Sequence, residues 1–166
     1  YVDPYALTTR DDDWSAQCHD QVVSFFTAVF DAVINKDPRR AVNLLSHLNE
    51  PEETHLGVSQ EGNKGRGIGG HQAEELYSAL TRSKAAQSGL LEDLSDFALF
   101  IPGIEKDKIS YITTNVIRKS LISYTQAQCN LHNIPVRIVG SGFFWCNESN
   151  LWKQDYVELP IYEEKR

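Results

Sequence analysis

The sequence predicts an α+β protein that is mainly helical, with four to five helices and a small C-terminal antiparallel β-hairpin or three-stranded sheet. Two observations carry that expectation. Up to about residue 134 the apolar side chains recur at spacings of three and four, the period of an amphipathic helix; from Pro135 onward aromatic and β-branched residues gather in short runs around a polar turn. A chain of 166 residues with 41% hydrophobic and 23% charged side chains can bury one core unaided. Residues 1–166 therefore read as a single domain, helical over 1–134 and β-rich over 135–166.

Asp11, Asp12 and Asp13 stand ahead of a stripe formed by Trp14, Cys18, Val22, Phe25, Val29 and Val33, and carboxylates there suit the positive end of a helix. Phe26 and Phe30 widen the stripe, which sets this helix deep among its neighbours. Asp37 followed by Pro38 is an N-cap with proline at the first helical position, and Ala41, Leu44, Leu45 and Leu48 continue it as a shorter helix, completing a helical hairpin. A third helix is expected from about His71 to Ser83, with Ala73, Leu76, Tyr77 and Leu80 on one face. Leu90, Leu91 and Leu94 suggest a short fourth helix, and the apolar run from Phe97 to Ile101 is stopped by Pro102 and Gly103. The longest periodic segment, Ile109 to His132, ends before Ile134 and Pro135, because the residue preceding proline is driven out of helical geometry. Beyond it, runs rich in Val, Ile, Phe and Trp flank the polar turn Asn147-Glu148-Ser149-Asn150, the pattern of a hairpin.

Composition bounds the function more loosely. No apolar run approaches the ~18 residues that a membrane-crossing helix needs, and the first residues show no basic stretch followed by an apolar one, so no membrane partner is expected. Cys18, Cys129 and Cys146 form too sparse and odd a set for a disulfide framework, which points to free thiols in the cytoplasm. The chain contains no methionine and stops just after a strand-like run, so both ends read as cut from a longer protein. A formal net charge of −7 disfavours unaided binding of nucleic acid and points to other protein subunits as partners.

The densest unusual feature is a glycine run: Gly57, Gly62, Gly65, Gly67, Gly69 and Gly70, with Lys64 and Arg66 between them. Glycine costs conformational entropy, so such density calls for a reason, and backbone without side chains can approach a ligand closely. The run opens into the helix at His71, whose unpaired N–H groups favour an anion. Lys64, Gly65, Arg66, Gly67, Gly69, Gly70 and His71 are thus the candidate phosphate-binding residues, with Arg118 and Lys119 on the polar side of the long helix as further nucleic-acid contacts. Gly65 to Gly70 matches G-x-G-x-x-G literally, but no strand precedes it and no Gly-Lys-Ser/Thr closes it, which excludes a dinucleotide fingerprint and a P-loop. A mobile, solubilising connection is the competing explanation.

Other clusters carry less. His47, Glu50, Glu52, Glu53 and His55 lack the spacing of a metal motif and read as a solvated acidic connection. Cys129 and His132, with Cys18 and His19, form a formal zinc set that core packing explains better. No metal ligands and no cofactor are therefore expected. Asp93, Asp96, Glu105 and Asp107, or Asp155 with Glu163 and Glu164, would gather Mg²⁺ only if the chain were a metal-dependent nuclease or phosphodiesterase.

Two longer strings, Leu45-Ser46-His47-Leu48-Asn49-Glu50-Pro51 running on to Gly57, and Asp107 to Arg118 running on to Tyr124-Thr125-Gln126, resemble an uncharacterised family of bacterial proteins associated with phage-defence and mobile-element loci. The resemblance implies a subunit or module of an anti-phage defence-type system. With the glycine run it gives the leading expectation: a module that contacts nucleic acid or nucleotide phosphate. Two alternatives stand beside it, a protein–protein interaction module docking through exposed hairpin aromatics Trp145, Trp152 and Tyr156, and the metal-dependent nuclease. Whether the chain is an enzyme is left open.

Overall fold

The computed structural model describes residues 2, 4–48, 70–83 and 106–161. Among them run six helices: α1 (Tyr5–Thr8), α2 (Asp13–Ile34), α3 (Pro38–Leu45), α4 (Gly70–Arg82), α5 (Lys106–Val116) and α6 (Arg118–His132). Four short strands follow: β1 (Arg137–Gly140), β2 (Phe144–Cys146), β3 (Leu151–Lys153) and β4 (Tyr156–Leu159). The fold is α+β, mainly helical, with a small C-terminal antiparallel strand set. The short helix expected around Leu90 to Leu94 and the run Phe97 to Ile101 lie outside the described residues.

Helix α2 is the axis of the core. Its stripe is so wide that α1, α3, α4, α5, α6 and β2 all pack against it. Phe25, at 0% exposure, sits at the centre, its ring 5.1 Å from Phe26, 5.2 Å from Trp145 and 5.4 Å from Trp152, each in an edge-on geometry. Burying each such ring contributes roughly 1.5–3 kcal/mol, with more from the edge-to-face pairs.

The ends of α2 are set by local chemistry. Asp12 is the N-cap, its Oδ1 accepting from the Ser15 amide at 2.9 Å and its Oδ2 from the Ser15 hydroxyl at 2.9 Å. At the other end Lys36 takes a left-handed φ of 54°, which lets the Asp37 amide donate back to the Ala32 carbonyl at 2.8 Å. Asp37 then caps α3 by accepting from the Arg40 amide, with Pro38 in the first turn as the sequence predicts.

The long helix expected over Ile109 to His132 is instead two helices that bend at Ile117 (φ −86°, ψ 9°). Three successive side chains explain the bend. Thr113 and Thr114 donate to the carbonyls of Ile109 and Ser110, and Asn115 donates to that of Tyr111, each at 2.8 Å. Such back-bonding to the preceding turn competes with the backbone ladder and bends helices. The ladder itself survives, since the Ile117 amide reaches the Thr113 carbonyl and the Leu121 amide reaches the Ile117 carbonyl, both at 3.0 Å. Helix α6 ends on Asn133 at φ 54°, with the Ile134 amide bonded to the Cys129 carbonyl, immediately before Pro135.

The strands form one bent ribbon. β2 pairs with β3 across the turn Asn147 to Asn150, and β1 pairs with β4 farther out. Ser141 lies opposite Asp155, while Phe144 lies opposite Lys153, so Gly142 and Phe143 together face Gln154. This is a β-bulge, and Gly142 supplies the left-handed φ of 65° that it needs. Leu159 and Trp152 are seven residues apart on one strand, an odd number that puts them on opposite faces of a straight pleat. Leu159 lines the space beside α6 and Trp152 packs on the core, so the ribbon presents opposite faces at its two ends.

The capping bonds make a pH prediction. Hydrogen bonds from the Ser15 amide and hydroxyl, with Arg10 alongside, hold the Asp12 carboxyl below its ordinary value of 3.8. A depressed acid contributes stability that is fully present above the ordinary value and is lost as pH falls through the lowered one. Melting temperatures measured from pH 7 downward will therefore show Asp12→Ala below the parent at neutrality, with the gap closing below about pH 4.

Candidate functional site

Beside α2, the start of the chain, the α5–α6 bend and the β1–β4 half of the ribbon enclose a cleft of about 910 Å³. That volume lies in the ~300–1,000 Å³ range of small-molecule sites. Its walls are apolar, with Leu7, Trp14, Ile117, Leu121 and Leu159 among them. Each wall has a local reason for its place. The Val2 amide donates to the Ser110 hydroxyl at 2.9 Å, tying the first residues to α5. Trp14 Nε1 donates to the Ser120 carbonyl at 3.3 Å and its ring lies 6.0 Å from Tyr124, which fixes the start of α2 against α6. Gln126 Nε2 donates to the Glu158 carbonyl at 3.2 Å, holding β4 over α6.

The polar lining is sparse and localised. Arg118, half-buried at the bend, donates through its two terminal nitrogens to the Ser141 carbonyl at 3.4 Å and the Asn115 Oδ1 at 3.3 Å. Ser141 in turn accepts from the Asp155 amide through its hydroxyl oxygen at 2.9 Å and donates that hydroxyl to the Gly142 carbonyl. One guanidinium thus joins the helix bend to the ribbon bulge. Arg10 lies on the same cleft, with its Nε 3.2 Å from Asp12. Among the described lining residues there are two arginines and no carboxylate.

The residues expected to contact phosphate fare differently. Lys64, Gly65, Arg66, Gly67 and Gly69 lie outside the described residues, as do Glu50, Glu52, Glu53, His55, Asp93, Asp96, Glu105, Glu163 and Glu164. Gly70 opens α4, and His71 is exposed, its Nδ1 3.6 Å from Glu75 one turn on. Arg118, expected as a nucleic-acid contact on the polar side of the long helix, is half-buried and bonds to Ser141 beside the bulge. Lys119 does face solvent and pairs with Glu148 at 3.7 Å.

The hairpin aromatics require a correction. Trp145 is fully buried and Trp152 half-buried, with Trp145 Nε1 donating to the Ser24 hydroxyl and Trp152 Nε1 to the Leu44 carbonyl. They hold the ribbon to α2 and α3 rather than presenting it to a partner; only Tyr156, 79% exposed, stays on the surface. His47 has a similar structural place, stacked on Trp152 at 5.6 Å and edge-on to Phe143 at 4.4 Å. Among the described residues no three His, Cys, Asp or Glu side chains gather as a metal site. Cys18 is buried against α6, and burial pushes its thiol up to about 11. Cys146 donates to Glu148 Oε2 at 2.8 Å, and that bond, with the Lys119 ammonium, holds Glu148 below the usual carboxylate range.

The cleft was missed in the sequence because its apolar residues share the helical period of the core, and Ile117 and Leu121 read as core-facing. A signal was present in Ser110, Thr113, Thr114 and Asn115, an unusually polar series on a helix destined for burial.

Fold and cleft together define a small α+β domain with a recess of ligand size between its helical layer and its terminal ribbon. A family model described as Domain of unknown function (DUF8370) matches residues 1–166, and the chain belongs to that family. No match is found among curated proteins or among solved structures.

The Arg118 clasp is testable against its neighbour. Arg118→Ala should lower unfolding free energy by about 1.5–3 kcal/mol, as expected for hydrogen bonds to a charged group, whereas Lys119→Ala should stay within about 0.5 kcal/mol. Urea unfolding of both variants provides the comparison.

Proposed function

We propose that this chain is a binding module whose cleft beside the α5–α6 bend takes up an apolar ligand. The observation that carries the reading is the cleft itself: about 910 Å³ of recess bounded by apolar side chains from α1, α2, α6 and β4, with a few convergent polar groups at one edge. Capping and packing account for the bend and the ribbon; neither requires the space between them to stay unfilled. A fluorescent apolar probe such as anilinonaphthalene sulfonate should bind with saturable stoichiometry. Val139→Phe and Thr125→Phe, which add rings to opposite walls, should weaken it by at least about 10-fold, with circular dichroism and melting unchanged. Probe binding that is non-saturable or indifferent to both substitutions would remove the cleft from consideration.

A second reading is favoured by a separate observation: α4 begins at Gly70, where the glycine run predicts a helix start, and its first turn carries an exposed His71. In that reading Lys64, Gly65, Arg66, Gly67 and Gly69 cradle a nucleotide or nucleic-acid phosphate, and the module serves within a bacterial defence-type assembly whose other subunits supply basic surface. Affinity for single- or double-stranded DNA would then fall steeply with added salt, and replacing Lys64 and Arg66 by Ala would flatten the salt slope by about two units on a log–log plot. Affinity that is unmoved by salt or by this pair of substitutions counts against it.

A further inference from the structure

We infer that the ligand of the cleft is an uncharged aliphatic alcohol, held by its hydrocarbon body along the apolar walls and donating its hydroxyl to a threonine oxygen of the lining. This rests on the binding reading above and specifies its chemistry. Three observations carry it.

The first is charge. The two arginines described in the lining are both engaged within the protein: Arg10 Nε lies 3.2 Å from the Asp12 carboxylate, and Arg118 donates to the Ser141 carbonyl and to Asn115 Oδ1. A charged ligand would have to displace one of these partners or leave its own charge in apolar surroundings, and both are costly. A neutral ligand asks for neither. The second is the direction of the hydrogen bonds. The Trp14 indole donates to the Ser120 carbonyl, and the hydroxyls of Thr114, Thr125 and Ser141 donate to the carbonyls of Ser110, Leu121 and Gly142, at 2.8 Å each. The donors of the described lining side chains are thus committed, and an acceptor on the ligand finds none of them open. Each hydroxyl oxygen also carries two acceptor lone pairs. The Ser141 oxygen receives the Asp155 amide at 2.9 Å, whereas among the described residues no donor reaches the oxygens of Thr114 and Thr125. The group that fits is a donor without a charge, an O–H. With two such oxygens, a polyol would leave most of its hydroxyls unpaired. The third is the body of the recess. Its described walls are mostly aliphatic, with Leu7, Ile117, Leu121, Ile122, Val139 and Leu159 among them, and the one aromatic ring, Trp14, is already set against Tyr124. A saturated chain gains the full benefit of burial there, while a flat aromatic ligand finds no free ring to pair with.

Competition against the fluorescent probe on the full chain separates these features. 1-Octanol, heptyl methyl ether, octanoate and octylammonium carry similar chains under a neutral donor, a neutral acceptor, an anion and a cation. Octanol should bind at least about 10-fold more tightly than either ion and several-fold more tightly than the ether, with an affinity that salt does not move. Thr114→Val and Thr125→Val keep the branched shape and remove the oxygen. One or other of them, shown by circular dichroism to be folded, should bring octanol down to the level of the ether and leave the ether unchanged. An ether that binds the parent chain as tightly as octanol, or octanol binding untouched in both folded variants, overturns the alcohol assignment and leaves the apolar cleft standing. Octanoate or octylammonium equal to octanol overturns the neutrality of the ligand. A probe that saturates the cleft yet is displaced by none of the four also overturns the inference, whereas a probe that does not saturate removes the binding reading beneath it.

Discussion

The wide apolar stripe of α2 is the constraint from which the rest of the structure follows. A helix that carries Phe25, Phe26, Val29, Phe30 and Val33 cannot be covered by a single neighbour, and α1, α3, α4, α5, α6 and β2 share the task while Gln17, Asp20, Thr27 and Asp31 stay in solvent. The ribbon depends on this in return. Two-stranded hairpins are marginal by themselves, and this one is held where Trp145 and Trp152, directly paired across β2 and β3, close on the Phe25 ring. Their indole nitrogens find acceptors on α2 and α3, so the aromatic contact carries directional bonds as well as area.

The cleft is the geometric remainder of that arrangement. The tip of the ribbon is committed to α2, while its base pairs β1 with β4 above α6. The bulge at Gly142 and Phe143 reverses which face looks inward, and the α5–α6 bend turns the helix below it. Two surfaces that diverge from a common anchor leave space between them, and Arg118 spans the point of divergence. The same guanidinium thus ties together the two surfaces that bound the recess.

The two binding readings rest on different segments of the chain. The cleft involves α1, α2, α5, α6 and the base of the ribbon; the glycine run leads into α4, whose packing partners are α2 and α3. A ligand at one does not require a ligand at the other, and each reading stands on its own chemistry: apolar enclosure in the first case, exposed peptide nitrogens and two basic side chains in the second.

Much of the fold was legible in the residues. The cap at Asp37, the acids ahead of α2, the stripe of α2, the face of α4 and the stop at Ile134-Pro135 are local, because each is decided by side chains within one or two turns of the backbone they act on. The bend at Ile117 was only half legible: Thr113, Thr114 and Asn115 are visible as a polar series, but a helical period runs through it undisturbed. Sequence by itself determined the helical and β-rich division, the cap at Asp37, the stop before Pro135 and the apolar faces of α2 and α4. The tertiary structure alone decided that Trp145 and Trp152 face the core, that Arg118 reaches the ribbon and that, among the described residues, an apolar recess lies between helix and ribbon. Period and composition report that a side chain is apolar or charged; which neighbour it meets depends on where distant segments converge, and here that is set by a one-residue bulge and a three-residue run of back-bonded side chains.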